Sequence, residues 1–152
     1  MTVPDESRLL DRRRFLGTCA CAMAGISLAG ACASLALRRV TPVDGRLLLP
    51  LLQHPELTES GGSLAFLPDG QETPVFVLAL GGERFAALSP ICTHLGCTVE
   101  IQGERLVCPC HGSTYDREGR VLRGPAEDAL HRYPARLSPD GILEITLATT
   151  GR

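Results

Sequence analysis

Tryptophan is absent from the 152 residues, and the other aromatic residues are few, with four phenylalanines and two tyrosines. A chain so poor in aromatic side chains lacks the platform on which proteins stack single-stranded bases. The formal net charge is only −2, and acidic and basic residues are interspersed. No basic surface of the kind that binds nucleic acid is predicted from such a distribution. We therefore expect no nucleic acid among the partners of this protein.

Helical periodicity is missing after residue 50, apart from residues 47–57, whose spacing would allow a short helix. Turn-forming pairs of Gly, Pro and Asp recur instead, and the short runs between them are rich in β-formers. This pattern predicts an all-β fold, as a small antiparallel sandwich or partly open barrel. The predicted hairpins pair residues 75–80 with 84–88 around Gly81-Gly82, and 99–101 with 106–107 around Gly103, and residues 142–147 would close a sheet.

The first 45 residues differ from the rest. Residues 11–17, DRRRFLG, resemble the twin-arginine export signal, and residues 15–37 carry no charge. As a helix, residues 15–37 would span about 34 Å, enough to cross the hydrocarbon core of a bilayer. Arginines before the stretch favour an N-terminus in the cytoplasm and an exported remainder.

These features divide the chain into a twin-arginine signal and probable anchor at residues 1–37, a linker at 38–45 and a domain at 46–152. The signal is interpreted as an uncleaved transmembrane helix in the cytoplasmic membrane, with cleavage as the alternative. Cys19, Cys21 and Cys32 within it are interpreted as small apolar residues.

The remaining four cysteines lie within 19 residues and are interleaved with two of the four histidines. Cys92-Thr93-His94-Leu95-Gly96-Cys97 forms a first box, and Cys108-Pro109-Cys110-His111-Gly112-Ser113 a second. Cysteines packed so densely indicate a metal site, a disulfide, or both. His54 and His131 lie outside the boxes and are interpreted as surface or structural residues.

The two boxes resemble those of the Rieske family, in the variety found in quinol-oxidising cytochrome bc-type complexes. The resemblance implies one 2Fe–2S cluster, with Cys92 and Cys108 on one iron and His94 and His111 on the other. It also implies a disulfide between Cys97 and Cys110. Neutral imidazoles in place of two thiolates leave less negative charge on the centre, which raises its reduction potential.

The same resemblance assigns supporting residues. Ser113 and Tyr115 lie where high-potential members place hydroxyl donors to the cluster, which would raise the potential further. Gly124-Pro125 resembles the family's proline loop, a third segment that covers the cluster. By resemblance, His111 is the ligand that faces the quinol.

The function implied is electron transfer from quinol to a c-type cytochrome or similar acceptor, in a complex whose b-type cytochrome supplies most of the quinol pocket. We expect no catalysis by the chain alone, and we expect the domain in the periplasm or otherwise outside the cytoplasm. The alternatives are a small Rieske subunit of another periplasmic oxidoreductase of the arsenite oxidase kind, or a free-standing periplasmic carrier. A cytosolic oxygenase ferredoxin and a zinc site on the same four ligands are further alternatives, which the export signal and the spacing of the ligands disfavour.

Overall fold

The computed structural model describes residues 37–147 and contains almost only β-structure. The predicted all-β class is therefore confirmed. The predicted signal and anchor at residues 1–37 lies outside the described residues, apart from its last residue, Leu37. Cys19, Cys21 and Cys32 also lie outside them. Within residues 37–147, no helix has the length and apolar character needed to cross a membrane.

Twelve short strands follow one another along the described chain. Their bounds are β1 Leu37–Val40, β2 Arg46–Pro50, β3 Ser63–Pro68, β4 Val75–Ala79, β5 Phe85–Leu88, β6 Glu100–Gln102, β7 Arg105–Val107, β8 Thr114–Asp116, β9 Val121–Arg123, β10 Arg132–Tyr133, β11 Ala135–Leu137 and β12 Ile142–Thr146.

The strands form three sheets. A central sheet has the order β1-β3-β4-β5-β10, an outer sheet the order β11-β12-β2, and a third sheet the order β6-β7-β8-β9. We call the third one the cluster sheet, because both boxes adjoin its strands. All the strand pairs are antiparallel except β1 with β3.

The central sheet is buried on both faces. Every residue of β4 and β5 is buried, and their side chains alternate between two hydrophobic cores. Val75 and Val77 pack with leucines of the outer sheet, whereas Phe76 and Leu78 pack with Leu106 and other residues of the cluster sheet. The period of two along a strand thus places the outer sheet and the cluster sheet on opposite sides of the central one.

The predicted hairpins are present. Strands β4 and β5 pair around Gly81-Gly82, both at positive φ, and β6 pairs with β7 around Gly103. Residues 47–57, in contrast, form no α-helix. They continue β2 and then make two 3₁₀ turns, Leu51–Gln53 and Pro55–Leu57. Pro50 and Pro55 explain the difference, because proline lacks the amide hydrogen that continued helix or strand would use.

The segment predicted as a linker contains part of a strand. Leu37–Val40 is β1, paired in parallel with Ala65–Pro68 of β3. Arg38 fixes it further, since its guanidinium donates to the His54 Nδ1 at 2.9 Å and forms an ion pair with Glu56 at 2.5 Å. The chain thus enters the central sheet at Leu37.

Candidate metal centre

The hairpin of β6 and β7 brings the two boxes to one end of the cluster sheet. The first box precedes β6 and the second follows β7, and Glu100 lies opposite Val107 in the antiparallel register. Because neighbouring antiparallel strands begin and end at the same edge, the loop before one meets the loop after the other.

The two boxes adopt the same local turn. In each, the amide of a glycine four residues after the first cysteine donates to the carbonyl of that cysteine: Gly96 to Cys92 at 2.9 Å, and Gly112 to Cys108 at 3.0 Å. Both glycines have positive φ, 76° and 74°, which a residue with a Cβ adopts only at a cost. Glycine at these positions therefore shapes both loops.

A disulfide joins the tips of the loops. The Sγ atoms of Cys97 and Cys110 are 2.09 Å apart, so the cysteine pair that the resemblance implied is bonded. Cys92 and Cys108 are each 2% exposed and are the unpaired thiols of the described residues. The Sγ of Cys108 lies within 4.8 Å of both disulfide sulfurs, but those two carry no thiolate and are poor ligands.

The histidines of the boxes lie side by side. The ring centroids of His94 and His111 are 4.9 Å apart, with the rings perpendicular. The Nδ1 of His94 is buried without a hydrogen-bond partner, which is costly for a polar atom unless it binds something. Two buried thiols, this nitrogen and the neighbouring imidazole of His111 form a donor set that fits a centre ligated by two cysteines and two histidines.

The hydroxyl of Tyr115 reaches the first box. The Thr93 amide donates to Tyr115 Oη at 3.3 Å, and the Thr93 hydroxyl donates to the carbonyl of Asp128 at 2.7 Å. The hydrogen of Tyr115 is consequently left for the Cys92 Sγ or the Thr93 Oγ1, each 3.2 Å from the Oη. Burial, together with the hydrogen bond to Cys92, raises the pKa of Tyr115, so the hydroxyl stays a donor.

The surroundings of Cys92 favour its thiolate. Burial acts to raise the pKa of this thiol, but hydrogen bonds outweigh burial and leave the pKa below its usual value. The largest of these comes from Tyr115, followed by the backbone of His94 and the side chains of Cys108 and Ser113. A thiolate is the form that binds metal.

The third segment packs on the second box. The Ala126 amide donates to the fully buried Oγ of Ser113 at 3.1 Å, which leaves the Ser113 hydrogen free for another acceptor. Gly124 has φ 106°, and a Cβ there would lie 2.5 Å from the Ser113 Cα. Gly124 is therefore required for the close approach of this loop, and Pro125 follows it at the surface.

Sequence reasoning did not single out Thr93. Its backbone and hydroxyl join the first box to Tyr115 and to the segment after Pro125. The only signal in the sequence was its place between Cys92 and His94. His54 is half-buried and bonded to Arg38, while His131 is exposed and stacks edge-on against Tyr133, 4.8 Å between centroids.

Two Cys/His loops held at one end of a small β domain define a class of electron-transfer domains with mixed thiolate and imidazole ligation. Residues 53–134 match the family described as the Rieske [2Fe-2S] domain. This stretch is more than half of the chain, and the chain belongs to that family. It therefore binds a Rieske 2Fe–2S cluster.

The curated relatives include the cytochrome b6-f complex iron-sulfur subunit of Trichodesmium erythraeum, 42% identical over 74 residues. The match covers 46% of this chain and 41% of the relative, so it spans less than half of that protein. Among solved structures, the plasma membrane Rieske protein of Synechocystis PCC 6803 is 36% identical over 55% of this chain and 85% of that chain, with a TM-score of 0.47.

The soluble domain of Rieske protein II from Sulfolobus acidocaldarius is 21% identical over 69% of this chain and 81% of that chain. Its TM-score of 0.56 shows that the two share a fold.

Proposed function

We propose that this chain is the electron-transfer subunit of a cytochrome bc-type complex, accepting electrons from quinol and passing them to a c-type cytochrome or similar acceptor. The proposed ligands are Cys92, His94, Cys108 and His111. The observation that carries the proposal is the pairing of two buried, unbonded thiols with two adjacent imidazoles beneath a disulfide. When bound, the cluster takes up and releases one electron.

The unequal burial of the proposed ligands indicates which of them a quinol would reach. Cys92 and Cys108 are enclosed, His94 is half-buried, and His111 is exposed. His111 is therefore the group that a quinol hydroxyl would meet first, and its imidazole would accept that hydrogen bond. Leu95, which follows His94 in the chain and is exposed, would enter the apolar surroundings that a quinol requires.

The hydrogen-bond donors support a high potential. Tyr115 and Ser113 each have a hydroxyl hydrogen placed next to the ligand loops. Such donors stabilise the more negative, reduced state, which is the state formed by accepting an electron from quinol.

The relatives and the N-terminal sequence support the membrane setting. The relative in Trichodesmium erythraeum is named as a subunit of the cytochrome b6-f complex. In this chain, the twin-arginine pattern and the uncharged residues 15–37 would keep the N-terminus inside and hold the domain at the outer face of the cytoplasmic membrane.

Electron paramagnetic resonance of the dithionite-reduced protein tests the cluster. We expect the rhombic signal of a mixed-ligand 2Fe–2S centre, its loss in Cys108→Ser and its loss or marked change in His111→Gln. His131→Gln is the matched control and should leave the signal unchanged. A silent sample containing zinc would overturn the proposal.

Purification from membranes under mild detergent tests the complex. We expect b-type haem to co-purify with the tagged chain. We also expect that adding quinol to the purified sample reduces the cluster. Co-purification of a molybdenum subunit would instead indicate an oxidoreductase of the arsenite oxidase kind, and recovery of the chain without haem a free-standing carrier. Either result would overturn the assignment to a bc-type complex.

A further inference from the structure

A cavity of about 660 Å³ lies next to three arginines at the side of the outer sheet, where the chain passes from β10 to β11. Arg46 comes from β2, Arg132 from β10 and Arg136 from β11, and Tyr133, Glu144 and Thr146 complete most of the wall. We call this the basic cavity. None of its lining residues belongs to the two boxes, so it is separate from the candidate metal centre.

The strand register explains why the cavity side chains of the outer sheet, Arg46, Arg136, Glu144 and Thr146, point outward. Leu47, Leu49, Leu143 and Ile145 are buried in the core, and the residues that alternate with them face the other way. Cross-strand rows on this outer face join Arg136 to Glu144 and Leu48, and Thr146 to Arg46.

The cavity is positive within an acidic domain. Residues 37–147 contain ten arginines and fourteen carboxylates, a formal net charge of −4. The cavity has three arginines against one carboxylate, and Glu144 lies 3.7 Å from Arg46. Within the described part of the chain, no carboxylate lies within 4.0 Å of Arg132 or Arg136. Arg132 donates one long hydrogen bond, 3.4 Å, to the carbonyl of Phe85, so its remaining N–H groups and the guanidinium of Arg136 are available to an anion.

All fifteen basic residues of the chain are arginines. A guanidinium forms two parallel hydrogen bonds with a phosphate, and it releases its hydration more readily than a lysine ammonium group. The basic cavity thus suits a phosphate group better than a diffuse negative surface.

One exposed apolar residue neighbours the cavity. Leu48, directly across from Glu144, is 40% exposed. An exposed leucine in the same cross-strand row as Glu144 and Arg136 matches the two parts of a lipid interface, a charged headgroup layer and the acyl region below it.

The place where the chain enters the domain favours a lipid over a soluble anion. Arg46 follows Leu37 by nine residues, so their Cα atoms are at most about 30 Å apart. Leu37 is also the last residue of the predicted anchor. We propose that the basic cavity binds the phosphate group of an anionic phospholipid and docks the outer sheet on the membrane surface. This proposal rests on the predicted anchor and goes beyond the proposed function.

Docking of this kind would orient the cluster. With the outer sheet against the lipid, the cluster sheet lies on the far side of the central sheet and faces away from the membrane. The docked domain would then present its candidate metal centre to a soluble acceptor. Docking therefore favours the orientation of the domain in which the candidate metal centre can pass electrons to a soluble acceptor.

Hydrogen exchange of the full chain in lipid nanodiscs tests the proposal. The discs contain either phosphatidylcholine alone or phosphatidylcholine with about a third of phosphatidylglycerol. We expect slower exchange in peptides covering residues 46–50 and 132–146 in the anionic discs. Arg132→Gln with Arg136→Gln should reduce the docking constant roughly 25-fold, at about fivefold for each arginine near an anionic surface.

Arg84→Gln with Arg105→Gln is the matched control, because it removes two exposed arginines elsewhere and should retain docking. Equal exchange in the two kinds of disc would overturn the proposal. The proposal would also be overturned if millimolar inorganic phosphate slowed exchange equally in the neutral discs, because the cavity would then be a site for free anions. Since neither arginine pair lies at the candidate metal centre, the resonance signal of the reduced protein should be the same in all of these samples. An exchange result that contradicts lipid docking would therefore not contradict the proposed function.

Discussion

At the scale of single residues, two hydroxyl groups next to the ligand loops should set the reduction potential. Tyr115→Phe and Ser113→Ala should each lower the midpoint potential while retaining the cluster, because each removes a donor that stabilises the reduced state. A differential hydrogen-bond contribution of about 1 kcal/mol corresponds to roughly 40 mV for a one-electron couple. Redox titration followed by visible circular dichroism measures the change.

Tyr133→Phe is the matched control, since the chain has only two tyrosines and Tyr133 packs in the other core. Its potential should equal that of the wild type. If both Tyr115→Phe and Ser113→Ala also matched the wild type, the hydroxyl groups would have no part in setting the potential.

At the scale of loops and strands, loss of the disulfide should loosen the two boxes more than it unfolds the sheets. Cys97 and Cys110 are separated by 13 positions, and the link restricts the unfolded loops by an amount worth about 3 kcal/mol. The double variant Cys97→Ser with Cys110→Ser should lose its cluster at a lower temperature while its far-ultraviolet circular dichroism stays close to that of the wild type. Mild reduction of the wild type should reproduce this behaviour. Simultaneous loss of cluster and sheet would contradict it.

Strand β1 should loosen in acid. Burial and then the charge of Arg38 lower the pKa of His54, while Glu56 opposes them. Because Arg38 must donate to the Nδ1 of His54, the folded state holds this ring neutral. The unfolded ring has the higher pKa, near 6.5, and binds a proton first, so stability should fall as the pH drops below about 6.5 and level off below the folded pKa.

His54→Gln should abolish this dependence, because glutamine can still accept from Arg38 but does not titrate. The measurement is amide exchange of residues 37–40 between pH 7 and pH 5, corrected for intrinsic rates. Equal pH dependence in the variant and the wild type would show that another group controls the strand.

The elements that could be predicted from the sequence are those specified by residues close together in the chain. The hairpins around Gly81-Gly82 and Gly103 combine two-residue periodicity with residues that tolerate positive φ. Strand β1 could not be predicted, because its pairing with β3 joins segments 28 positions apart and its first residue ends an apolar stretch. The roles of the six cysteines and histidines in the boxes were predicted from their resemblance to the Rieske family. Thr93 was not, because its contacts with Tyr115 and Asp128 join residues that are distant in the sequence.

At the scale of the whole molecule, three sheets enclose two separate cores, and the second core joins the central sheet to the cluster sheet. Arg117 adds a polar link between the cluster sheet and the segment before β3. Its guanidinium is buried and donates to the carbonyl of Gly103 in the cluster sheet, at 3.0 Å, and to those of Gly61 and Gly62 before β3, at 2.9 and 2.7 Å. Gly62 also lies against the 3₁₀ turn Pro55–Leu57, where a Cβ would overlap the Glu56 carbonyl, so glycine is required there.

Arg117→Met should therefore destabilise the domain. The variant leaves the carbonyls of Gly61 and Gly103 without a donor, each a cost of about 1–3 kcal/mol, whereas the Gly62 carbonyl keeps the Ala79 amide. Against this, the desolvation cost of the buried guanidinium is no longer incurred. We expect a net loss of about 3 kcal/mol in the free energy of unfolding, measured by urea denaturation. Arg117→Lys should recover only part of it, since an ammonium group cannot span carbonyls on two sheets.

Arg120→Gln serves as the control for this comparison. Arg120 is exposed, and its ion pair with Asp116 spans 2.7 Å at the surface, where solvent screening leaves such pairs little net effect on stability. Its loss should leave the urea midpoint almost unchanged. Equal midpoints for Arg117→Met and Arg120→Gln would mean that the cluster sheet is held by its apolar core alone. A lower midpoint for Arg117→Met, with earlier loss of the cluster signal, would instead show that one buried arginine couples the sheets.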